Sequence, residues 1–184
     1  MYDVDNPCYG KLDEAGLLDR VRRLVGDAAE KEIADYCKLS PNASPYELAT
    51  NIATDASVMN SIRLAERRAA LGKSATYLYV FAWETPVMNT IEIPLVFDHV
   101  DVSESMVGSV RPEMRLLEAQ IARAWAAFAR ASNPNHKGLP DWPAYTAEQR
   151  SVMIFNSPSR EQDDATSQMR RIPENRPPAA GPLA

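Results

Sequence analysis

One short run constrains this chain more than any other. Thr76-Tyr77-Leu78-Tyr79-Val80-Phe81-Ala82-Trp83 is apolar or aromatic at both alternating positions. That pattern belongs to a strand covered on both faces within a mostly parallel sheet, not to a strand with one wet face. Elsewhere only Ser151 to Phe155 reads as a strand, and it is short. Two strands do not make a stable sheet, and the first would expose backbone donors, acceptors and rings along its edges. The remaining strands are therefore expected from another source.

The rest of the pattern is helical. Leu17, Leu18, Val21, Leu24 and Val25 recur at helical spacing within Asp13 to Val25, and Gly26 follows as a terminator. A second helix is predicted from Ala28 to Cys37, with Ile33 and Tyr36/Cys37 on its apolar side. Ser44-Pro45-Tyr46-Glu47 supplies an N-cap, a first-turn proline and an early acid. The helical pattern then runs to Leu71 with a break expected near Asp55 to Ser57, and Gly72 closes it. A long helix is predicted from Pro112 to Ala131, with Met114, Leu117, Ile121, Ala124, Trp125 and Phe128 on one face. Asn133-Pro134-Asn135 stops it, and a loop through Trp142-Pro143-Ala144-Tyr145 leads to the short strand. From Pro158 the chain turns polar and then proline-rich, the composition of a disordered tail.

Composition excludes several functions. With 45% hydrophobic and 24% charged residues among 184, the chain has the make-up of a globular protein. A net charge of −5 gives no footing for nucleic acid or an anionic membrane surface. The longest apolar stretch, about eight residues, falls far short of the ~20 that span a bilayer. The acidic start Met1-Tyr2-Asp3-Val4-Asp5 lacks the features of a signal peptide, so a cytoplasmic location is expected. Cys8 and Cys37 are then expected to be reduced thiols, and without a Cys/His cluster no zinc or other cofactor is implied.

Two further segments carry a resemblance. Tyr77 to Pro86 followed by Ile91-Glu92-Ile93-Pro94-Leu95-Val96-Phe97-Asp98 is similar to the late part of type-B carboxylesterases, the carboxylesterase/cholinesterase branch of the α/β-hydrolase fold, and the likeness is to bacterial members. Ala124-Trp125-Ala126-Ala127-Phe128-Ala129-Arg130-Ala131-Ser132-Asn133-Pro134-Asn135 resembles that family's C-terminal helix and exit, and Leu139 to Tyr145 and Met153-Ile154-Phe155 continue the match. The resemblance covers roughly Tyr9 to Ser157. It implies an α/β class: the C-terminal portion of an α/β-hydrolase fold, mostly helical, with one core strand and one short late strand. Residues 1–157 are then an incomplete carboxylesterase domain and 158–184 the tail.

The family implies serine hydrolysis of carboxylic esters by serine, acid and histidine in that chain order, with this chain starting just after the acid. The nucleophile elbow Gly-x-Ser-x-Gly requires two glycines four apart, and none of Gly10, Gly16, Gly26, Gly72, Gly108, Gly138 and Gly181 are so spaced. The glycine-rich oxyanion loop is missing by the same test. The family histidine stands three residues before the glutamate of the Glu-Ile-Pro motif, so Asn89 occupies its place before Glu92. An amide does not exchange a proton with a serine hydroxyl near neutral pH. A point replacement and a shortened loop both fit. His99 and His136 read as structural or surface residues, and Asp98 and Asp101 beside His99 as solvated charges rather than metal ligands. Glu113, Glu118, Arg115 and Arg123 are expected on the wet side of the long helix, and Arg63, Arg67 and Arg68 with Glu66 on another wet helix face. Tyr77, Tyr79, Phe81 and Trp83 read as core, near what would border an acyl pocket in the family.

The expectation is thus a fragment of a serine carboxylesterase, inactive alone. The alternatives are a non-catalytic subunit that completes a separately encoded N-terminal half, and a small independent binding domain.

Overall fold

Asp13 opens the first helix, α1 (Glu14–Val25), by accepting the Gly16 N–H on its carboxylate at 2.8 Å. The computed structural model describes residues 11–83, 92–170 and 172. Gly26 ends α1 at φ +64°, a conformation a side chain would strain. A 3-10 turn (Gly26–Ala28) leads into α2 (Ala29–Leu39), and α3 follows over Pro45–Leu71. Ser44 and Glu47 form a reciprocal capping box at its start. The Glu47 carboxylate accepts the Ser44 backbone N–H at 2.7 Å, and the Ser44 hydroxyl accepts the Glu47 N–H at 3.3 Å. The expected break near Asp55 to Ser57 is absent: α3 continues through it to Gly72 at φ +61°. Asp and Ser lower helix propensity only modestly, and no glycine or proline interrupts the run from Tyr46 to Leu71.

The chain divides into two compact units, with the boundary inside α3 after Ser61. In the first, Leu17, Val21, Ala29, Tyr36, Leu48, Ala49 and Ile52 form the core. Leu24 and Cys37, placed by their spacing on apolar faces, are exposed instead. The short helix α7 (Ser167–Arg170) belongs to this unit.

The second unit, Ile62–Ala165, contains the sheet. Strand β1 is Leu78–Phe81, β2 is Ser151–Phe155 and β3 is Arg160–Asp163, in the order β1-β2-β3. β1 and β2 run parallel, with Tyr79 opposite Met153 and Phe81 opposite Phe155, while β3 returns antiparallel to β2. Between β1 and β2 come α4 (Ile93–Val96), a 3-10 turn (Val100–Val102), α5 (Glu104–Val107) and α6 (Pro112–Ala131). Met114, Leu117, Ile121 and Ala124 of α6 pack with Leu95, Val100, Val107, Trp142, Met153 and Phe155 into one core.

One expectation needs correction. The polar run after Pro158 contains β3 and α7. β2 is buried at all five residues, so its backbone groups need partners on both sides: β1 on one, β3 on the other. The Ser151 hydroxyl also donates to Glu161 at 2.6 Å. Conversely, β1 is only half-buried at all four residues, although its side chains suit a fully covered strand. It lies at the edge of the described sheet.

Candidate functional site

The features with chemical potential lie around the aromatic face of β1. Strand alternation places Tyr79 and Phe81 on the side that joins the α6 core. Tyr77 and Tyr79 meet Trp142 edge-on at 5.6 and 6.3 Å between ring centres, and Tyr77 meets Phe128 at 5.9 Å. Together with Trp125 and Pro134 these rings line an apolar groove of about 170 Å³. Trp125 and Phe128 belong by periodicity to the apolar stripe of α6, yet remain 48% and 43% exposed. Their spacing correctly places them on the stripe's flank, but no described element covers that flank.

Trp142 is held in this cluster by the Asn-Pro-Asn turn. Asn135 accepts the Trp142 backbone N–H and donates to its carbonyl, both at 2.8 Å. Ser132, in the left-handed region at φ +55°, ends α6 just before it. The indole N–H groups of Trp83 and Trp142 are buried without a hydrogen-bond partner among the described residues.

The hydroxyl of Tyr79, one of the lining residues, donates to the Glu92 carboxylate at 3.1 Å. Burial raises the Tyr79 pKa well above its usual value, and the adjacent Glu92 charge and hydrogen bond raise it further against an opposing contribution from Trp125. The phenol therefore stays protonated at neutral pH and serves as a donor, not as a base. Glu92 itself precedes α4 and is half-buried.

Asn89, which the resemblance puts at the family histidine position, lies outside the described residues, as does Cys8. His99 is exposed, with Nδ1 against the Phe97 carbonyl of its own turn. His136 has Nδ1 and Nε2 each 3.0 Å from a carbonyl oxygen, those of Lys137 and Gln120. Both imidazoles are engaged with backbone rather than with a serine hydroxyl. Asp98 is exposed at φ +58°, and Asp101 pairs through two contacts with Arg115. The Arg115 hydrogen bond holds the Asp101 carboxyl below its ordinary range. No group of three His, Cys, Asp or Glu side chains among the described residues is arranged to hold a metal ion.

Glu113 and Arg123 are exposed as expected, but Glu118 is not. It is 5% exposed and accepts the Val100 N–H at 2.9 Å, tying α6 to the turn after α4. Its place one turn beyond Met114 and beside Leu117 put it within the apolar stripe, a signal the charge obscured. Glu66 pairs with Arg150 at 3.3 Å rather than with its helical neighbours. Arg67 and Arg68 are exposed and Arg63 is half-buried, with Arg68 reaching Ser74 at 3.4 Å.

Comparison with known proteins supplies the family. The carboxylesterase family model matches residues 13–172. The chain is 29% identical to the para-nitrobenzyl esterase of Bacillus subtilis over 102 residues, covering 52% of this chain and 21% of that one. It is 32% identical to a liver carboxylesterase of Sus scrofa over 102 residues, covering 51% and 18%. Among solved structures, a Geobacillus stearothermophilus carboxylesterase superposes with a TM-score of 0.73 at 33% identity, covering 91% of this chain and 36% of that one. A thermophilic para-nitrobenzyl esterase gives 0.70 at 25% identity, covering 88% and 33%. The chain thus spans about a fifth of the curated relatives and about a third of the solved chains. The helix-rich unit with its small sheet is part of an α/β-hydrolase fold. Its matched span of 13–172 makes the chain a member of the carboxylesterase family.

Proposed function

We propose that these residues form the C-terminal section of a serine carboxylesterase domain and have no ester hydrolase activity by themselves. The observation that carries this reading is chemical: the 184 residues contain neither a Gly-x-Ser-x-Gly elbow nor a glycine-rich oxyanion loop. The resemblance adds that Asn89 stands where the family has its histidine. The half-buried strand β1 supports it, since it lies at the edge of the described sheet and an apolar parallel strand normally has cover that the described residues do not provide. The role of the section is structural: it extends the sheet and carries α6 across one face. The partner it needs is a serine-bearing section of the same domain. Even in that company Asn89 leaves the serine without its general base.

The purified chain should not hydrolyse a short-chain p-nitrophenyl ester above a buffer blank. Turnover that persists through stringent purification and is abolished by a serine-directed organophosphate would overturn the proposal.

A further inference from the structure

We draw no further inference here: the strongest candidate, the apolar groove between β1 and α6 lined by Tyr77, Tyr79, Trp125, Phe128 and Trp142, carries none, since nothing in the structure shows what covers it.

Discussion

Replacing Glu118 separates a buried structural carboxylate from the solvated one its charge alone suggests. Its oxygen accepts the Val100 N–H at 2.9 Å, while Val100 is 1% exposed and Glu118 5%. In Glu118→Ala the Val100 N–H keeps no acceptor and remains excluded from water. A hydrogen bond to a charged group contributes about 1.5–3 kcal/mol, and loss of the packed Cγ methylene adds up to about 0.8 kcal/mol. A total of about 3 kcal/mol is expected for alanine. Glu118→Gln keeps the stem and a carbonyl acceptor, and it removes the cost of burying charge, so about 1 kcal/mol or less is expected. Urea unfolding followed by tryptophan fluorescence is the suitable assay, because Trp83, Trp125 and Trp142 all lie in the unit that contains Glu118. With a urea slope of about 2 kcal/mol per molar, alanine should lower the midpoint by about 1.5 M and glutamine by about 0.5 M or less. An alanine midpoint within about 0.2 M of the parent would refute the structural role of this carboxylate, as would glutamine proving as damaging as alanine.

Other predictions concern caps, titrations and loops. The Ser44 backbone N–H, and then its hydroxyl, hold the Glu47 carboxyl below its ordinary value of 4.5; its stabilisation is present above that value and fades as pH falls through the folded value. Ser44→Ala should move the Glu47 midpoint upward in an NMR titration, and an unchanged midpoint would count against the capping box. Burial raises Asp55 above 3.8, opposed by the Tyr36 hydroxyl at 2.6 Å, with the Glu32 charge raising it further. Stability from this group is therefore complete below pH 3.8 and is lost as pH rises through the folded value. Tyr36→Phe should raise the Asp55 midpoint further, and a fall would contradict the assigned hydrogen bond. Asn135→Ala removes both bonds to the Trp142 backbone, so a loss of about 2 kcal/mol is expected together with a shift in tryptophan emission. His99→Ala, at an exposed turn, should change stability by less than about 0.5 kcal/mol, measured by the same unfolding curve.

The helices were legible because their signals are local. Asp13 before α1, the Ser44/Glu47 box before α3, Pro112 at the start of α6 and the glycines after α1 and α3 each act within a few residues of where they stand. The absence of a Gly-x-Ser-x-Gly elbow was legible for the same reason, since a contiguous pattern can be read directly. Partnership across the chain was not legible. β3 is polar, and it becomes a strand because buried β2 requires hydrogen bonds on its second side. Glu118 is charged, and it is buried because an N–H eighteen residues away needs an acceptor. Periodicity put Trp125 and Phe128 on the right stripe of α6 but could not say where its cover ends, because cover depends on which other elements are present. Spacing and capping act through neighbours in sequence, whereas burial and hydrogen-bond satisfaction depend on neighbours in space. Strand β1 shows the division: its side chains specify a covered strand, and the tertiary arrangement leaves it half-buried at the edge of the sheet.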